Sequence, residues 1–119
     1  MQQTFTLPYP PSANRYWRNV RGRTIVSAEA KAYKAEAGWS AKAQGACCIE
    51  AGNIIVKIDA YRPRRRGDLD NVLKITLDAL NGVAYADDSQ ITRIEANRYD
   101  DKDNPRVEIG IRMVSGDDK

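Results

Sequence analysis

Polar and apolar residues alternate over Thr4-Phe5-Thr6-Leu7, the two-residue period of an edge or half-buried strand. Pro8-Tyr9-Pro10-Pro11 stops it in an extended turn, because proline fixes φ and restricts the residue before it. Ser12 to Gly22 reads as a polar, arginine-rich loop with Tyr16 and Trp17 interleaved. Arg23 to Val26 reads as a short β-branched strand pairing back on the first. Ser27 has the hydroxyl of an N-cap, and Glu29 follows at the positive end of the helix dipole. That helix is predicted to run to about Gln44 and stop at Gly45. Ala30, Tyr33, Ala37 and Ala41 form its core face, with Trp39 on the far side.

The second half repeats the pattern. Asn53 to Tyr61 places Ile54, Val56 and Ile58 on one face of a strand. After the loop Arg62 to Asp68, a helix is expected over Leu69 to Leu80, ended by Asn81-Gly82. Its core stripe is read as Leu69, Leu73, Thr76, Leu77 and Leu80, with Val72 on the flank. Asp87 to Gln90 turns the chain into a strand over Ile91 to Tyr99. Arg106 to Met113 alternates with Val107, Ile109, Ile111 and Met113 inward, and Asp100 to Asn104 would join the last two strands as a hairpin. The expectation is one α+β domain over residues 1–119, in the order ββαβαββ, with a mixed, mostly antiparallel sheet and two main helices. Ser115 to Lys119 reads as a frayed tail.

Composition narrows the chemistry sharply. Among 119 residues there is no histidine, which removes histidine triads, histidine bases and the usual zinc sites. Hydrolysis by this chain would have to rest on carboxylates, lysine or a metal held by oxygen. Cys47 and Cys48 are adjacent, so they cannot close a loop and read as small buried apolar residues. No run approaches the roughly 20 apolar residues of a membrane span, and the start lacks a signal peptide's pattern. A soluble cytoplasmic protein with no membrane partner is expected.

The net charge is only +3, yet its basic residues gather in two places. One patch holds Arg15, Arg18, Arg21, Arg23, Lys31 and Lys34; the other holds Arg62, Arg64, Arg65 and Arg66. Two such patches on a nearly balanced chain suggest a polyanionic partner, although a charge run is also an ordinary solvated surface.

The second patch runs straight into Gly67-Asp68-Leu69-Asp70-Asn71, followed by Lys74 and, further on, by Asp87-Asp88. Asp68 and Asp70 can converge at the start of the second helix, where Asp70, Lys74 and Asp78 share the polar face. Two carboxylates that close repel unless a cation lies between them, and a hard divalent ion with oxygen ligands suits such a pair. Lys74 would then steady charge on a phosphate or orient water, and the arginines would hold neighbouring phosphates. A plainer account exists for each residue. Asp68 can cap the helix, Asp70 can answer its dipole and pair with Lys74, and Asp87-Asp88 can form an Asx turn.

Taken together, several motifs resemble the RusA family of Holliday-junction resolvases. They are Pro10-Pro11-Ser12-Ala13-Asn14-Arg15-Tyr16, Val26-Ser27-Ala28-Glu29, Arg64 to Asn71, Lys74, Leu77-Asp78-Ala79-Leu80 and Asp87-Asp88, in order from Thr6 to about Ile91. Gly67, where an arginine would be less surprising, is the main departure. The resemblance implies a homodimeric endonuclease, bacterial or phage-encoded, that uses Mg²⁺ (with Mn²⁺ as substitute) and no nucleotide cofactor. It would nick four-way DNA junctions symmetrically. By position it makes Asp68, Asp70 and Asp88 the catalytic, metal-binding carboxylates, Lys74 the catalytic lysine and Asn71 a supporting residue on the DNA, with Asp87 behind Asp88. Arg15, Arg18, Arg62, Arg64, Arg65 and Arg66 would bind DNA, and Tyr16 and Trp17 could stack on opened bases. Trp39 and Ile75, both placed off the core faces of their helices, would be available to a dimer.

Two other classes stay in view. A junction- or DNA-binding protein without nuclease activity would keep the arginines but have no need of the aligned carboxylates. A metal-dependent nucleotide phosphohydrolase would need the carboxylates but not two separated basic patches.

Overall fold

A computed structural model describes residues 2–11, 17–20, 22–63 and 69–114. The elements are β1 (Gln2–Pro8), β2 (Trp17–Val20), β3 (Arg23–Val26), α1 (Ala28–Ala43), β4 (Ile54–Arg62), α2 (Leu69–Leu80), a 3₁₀ turn (Asp88–Gln90), β5 (Ile91–Asp100) and β6 (Arg106–Met113). The class is α+β, as expected, with one strand more. β2 occupies part of the segment read as loop, and β3 pairs antiparallel with β2 rather than with β1. Gly22, at φ 78°, lies in the turn between them, in the left-handed region that glycine enters without a Cβ clash.

The main sheet has the order β1-β6-β4-β5. β6 runs antiparallel to both β1 and β4, whereas β5 runs parallel to β4 through the α2 crossover. The expected hairpin between β5 and β6 is therefore wrong: β4 stands between them. The reason lies in burial. Ile54, Val56, Ile58 and Ala60 are all wholly buried, which suits β4 to the centre, while β5 carries mostly polar residues and takes the edge.

Both helices lie on one face of this sheet. Ala30, Ala37 and Ala41 are fully buried, and such small residues let α1 come close to β1. Ser27 caps α1 by accepting from the main-chain N–H of Ala30 at 3.1 Å. The Tyr33 hydroxyl donates to the Pro8 carbonyl at 2.8 Å. The outer edge of β1 is answered by Gln44, whose side-chain amide accepts from the N–H and donates to the carbonyl of Thr6, each at 2.7 Å. At the opposite edge, no helix among the described residues lies squarely over β5: α1 sits mainly on β1 and α2 on β4, with Ile94 43% exposed.

Three expectations about single residues are corrected. Ile75 is 2% exposed and belongs to the core, while Leu69, Leu73 and Leu77 are only partly buried. α2 is apolar around most of its circumference, so its period did not settle which side faces the sheet. Met113, at the end of β6, is exposed rather than inward. Cys47 and Cys48 are free and exposed, on the turn after α1. Ser115 to Lys119 lie outside the described residues. Among the described residues no helix is long and apolar enough to cross a membrane.

Candidate active site

Of the residues singled out for chemistry, Arg15, Arg64, Arg65, Arg66 and Asp68 lie outside the described residues, as does Tyr16. Arg18 lies on β2. The others can be placed. Asp70 is exposed in the first turn of α2, and Lys74 is exposed one turn further along, with Asn71 half-buried between them. Asp78, on the same polar face, pairs with Lys34 of α1 at 2.9 Å and so ties the two helices together.

Arg62 ends β4 with a side chain 15% exposed, its Nε donating to the Asp100 carboxylate. It also stands close enough to the Tyr9 phenol, with Arg98, to oppose the upward pKa shift that burial imposes there.

Asp88 comes from the other end of α2. The chain turns back after Leu80, and Tyr85, fully buried, donates its hydroxyl to the Leu77 carbonyl at 2.5 Å. Burial pushes the Tyr85 phenol well above its ordinary pKa, and the nearby Asp88 and Asp78 carboxylates push it further. Asp88 thus lies near the last turns of α2 and the start of β5, where Ile91 pairs with Ile54. Asp70 lies at the first turn, beyond the far end of β4. About 15 Å of helix axis separates Asp70 from Leu80.

The turn that carries Asp88 is firmly held. Asp87 is the N-cap of the 3₁₀ turn and accepts from the main chain and the hydroxyl of Ser89. Those bonds, the hydroxyl's foremost, hold the Asp87 carboxyl below its ordinary pKa. Gln90 completes a capping box by accepting from the N–H groups of Ala86 and Asp87, each at 3.0 Å. It donates in turn to the carbonyls of Ile49 and Gly52. Asp88 is exposed, and among the described residues nothing bonds to its carboxylate. The Asx-turn role foreseen for the Asp87-Asp88 pair is filled by Asp87 alone. Gln90 was missed as a positioning residue, although an Asp followed three residues later by Gln is the capping-box signature.

These placements give two open carboxylates, an exposed lysine and a helix start directly after an arginine run. The chain matches a family model described as endodeoxyribonuclease RusA over residues 8–112. The chain belongs to the RusA family. A crossover junction endodeoxyribonuclease of Enterobacteria phage 82 is 37% identical over 114 residues, covering 94% of this chain and 95% of that protein. The Escherichia coli K12 RusA protein of the same description is 37% identical over 116 residues, covering 96% and 97%. That of Shigella sonnei is 36% identical over the same length. The RusA match spans every position from Arg15 to Asp88 at which site residues were expected. A concavity on the bare face of the sheet, lined in part by Thr4, Lys57, Arg93 and Arg112, contains none of them.

Proposed function

We propose that this chain is a Mg²⁺-dependent endodeoxyribonuclease that resolves four-way DNA junctions by paired symmetric nicks, acting as a homodimer in the bacterial cytoplasm. The observation that carries the reading is the RusA match over nearly the whole chain, together with relatives named for cutting crossover junctions. Asp70 and Asp88 fit a hard cation, since both are exposed oxygen donors with no competing partner among the described residues. Asp68 would join them from the end of the arginine loop. The chemistry such an ion supplies when bound is polarisation of the phosphodiester and activation of water without histidine. Lys74, on the same helix face as Asp70, would stabilise charge developing on the phosphate. Arg64, Arg65 and Arg66 would hold adjacent phosphates, Arg15, Arg18 and Arg62 would extend the contact, and Asn71 would support the strand at the helix start.

The separation of Asp70 from Asp88 bears on the dimer. Two oxygens on one Mg²⁺ stand no more than about 4 Å apart, yet the two residues belong to opposite ends of α2. A pairing of α2 with its copy about a two-fold axis perpendicular to the helix would run the two copies antiparallel and bring Asp70 of one chain over the Asp88 end of the other. The partly buried stripe Leu69, Leu73 and Leu77 and the exposed Ile94 are apolar surfaces such a pairing would cover, and Trp39, 76% exposed, is a further contact available to it. Each site then takes carboxylates from both chains, and two sites face a symmetric substrate.

The test is purified protein with a synthetic four-way junction and with a linear duplex, each with and without Mg²⁺. Junction-selective cleavage that needs the metal is expected. Binding without cleavage would favour a non-catalytic junction protein, and hydrolysis of free nucleotides would favour a phosphohydrolase.

A further inference from the structure

The bare face of the sheet carries side chains in rows across the strands, and one row differs in kind from the rest. Tyr61 of β4 pairs in register with Tyr99 of β5 on one side and with Arg106 of β6 on the other. The two tyrosine rings stack, with centroids 5.0 Å apart and planes 24° from parallel. The Arg106 guanidinium lies over the Tyr61 ring, 3.8 Å from its centre. Arg106 is fixed in turn by Asp101 and Glu108, each at 2.8 Å. The result is a three-layer stack whose inner end is pinned. Its outer end is Tyr99, on the edge strand and 45% exposed.

The surroundings define what such a stack can receive. Asp101 and Glu108 bond to Arg106, and Asp100 bonds to Arg62, so among the described residues the arginines beside the rings are already answered by carboxylates. A phosphate gains little there. A flat, uncharged aromatic face gains a stacking surface held rigid at no further ordering cost. The stack also lies on the chain just before the arginine loop, Tyr61 being followed by Arg62 and Pro63.

We propose that Tyr99, backed by Tyr61 and Arg106, is a stacking platform for a nucleobase with one face exposed at the branch point of the junction. The proposal rests on the junction-resolving reading above and gives the site a second, charge-independent contact with its substrate.

The test uses the full-length protein, its Tyr99→Phe and Tyr99→Leu variants, and two probes in EDTA so that nothing is cut. The probes are a four-way junction and a single-stranded oligonucleotide, each carrying 2-aminopurine, the first at its branch point. The parent and Tyr99→Phe should bind the junction alike and quench the fluorophore. Tyr99→Leu, which keeps an apolar side chain over Tyr61, should bind roughly 5- to 150-fold more weakly, lose the quench and keep the parental salt slope. Equal binding and quenching by Tyr99→Leu would overturn the platform and leave the resolvase reading intact. Weaker binding with an altered salt slope, or with a change in sedimenting mass, would overturn it too, by showing a charge or subunit contact instead. Quenching of the single strand through Tyr99 by a protein that never cuts junctions would uphold the platform and defeat the resolvase reading.

Discussion

Asp87 and Asp88 are neighbours in the chain with opposite surroundings: Asp87 accepts two hydrogen bonds from Ser89, and Asp88 accepts none among the described residues. The first carboxylate secures the turn. The second is presented by it, with Gln90 holding the same turn to the Ile49–Gly52 segment.

The pair should separate under mutation. Asp88→Asn should cost at least about 100-fold in junction cleavage, in line with losing a group that stabilises transition-state charge, with an unchanged melting temperature. Asp87→Asn should lower the melting temperature and retain most of the cleavage. Because the Asp87 pKa is depressed in the fold, its stabilisation is present above the ordinary carboxylate value of about 4 and is lost as pH falls through the depressed one. The difference in stability between the parent and Asp87→Asn should therefore shrink on acidification. A constant difference from neutral pH to pH 2 would mean the cap does not act through its charge.

Much of this was legible in the residues, and what was not has physical causes. Ser27, Gly45 and the alternation in β1 and β4 marked elements correctly because each is a local signal: a cap, a left-handed stop, a period of two. The order of strands is not local. Nothing in Asp100 to Asn104 says whether the chain returns beside β5 or crosses over β4, and the outcome turned on β4 having a face of four wholly buried residues, Ile54, Val56, Ile58 and Ala60. Ile75 was misassigned because α2 has leucines on one flank and Val72, Ile75 and Ala79 on the other, so a helical wheel admits two core faces. The family resemblance makes Asp70 and Asp88 partners, but only the parallel β4–α2–β5 crossover shows that they lie toward opposite ends of the helix.

Junction binding should depend steeply on salt, since each phosphate neutralised contributes about −0.9 to the log–log slope. Replacing Arg64 and Arg65 with alanine should flatten that slope by roughly one to two units. An unchanged slope, measured by fluorescence anisotropy from 50 to about 200 mM salt, would remove the arginine loop from the DNA interface.

Thr76 is wholly buried in α2, and its hydroxyl has no hydrogen-bond partner among the described residues. Valine has nearly the same shape and leaves no buried donor unmet. Thr76→Val should therefore stabilise the fold by about 1 kcal/mol, seen as a rise of a few degrees in Tm with cleavage unaffected. A fall in Tm would show that the hydroxyl bonds a helix carbonyl in solution.

The placement of Asp70 and Asp88 at opposite ends of α2 gives a test of how the sites are built that needs no further structure. Asp70→Asn and Asp88→Asn homodimers should both be inactive. In a mixed dimer the outcome depends on which chain supplies each carboxylate. If Asp70 of one chain works with Asp88 of the other, one of the two sites receives both altered residues and the remaining site receives both native ones. Mixing two dead proteins should then restore nicking, in one strand per junction and in about half of the dimers if exchange is random. If each chain supplies its own pair, every site in the mixed dimer carries one altered residue and mixing restores nothing. The assay is a junction labelled on opposed strands, cut after subunit exchange and read by denaturing gel, with Asp78→Asn as a control. Asp78 pairs with Lys34 rather than facing either end of the helix, so that variant should cut both strands. Recovery of single nicks establishes the shared site; silence in a mixture shown by mass spectrometry to contain mixed dimers overturns it.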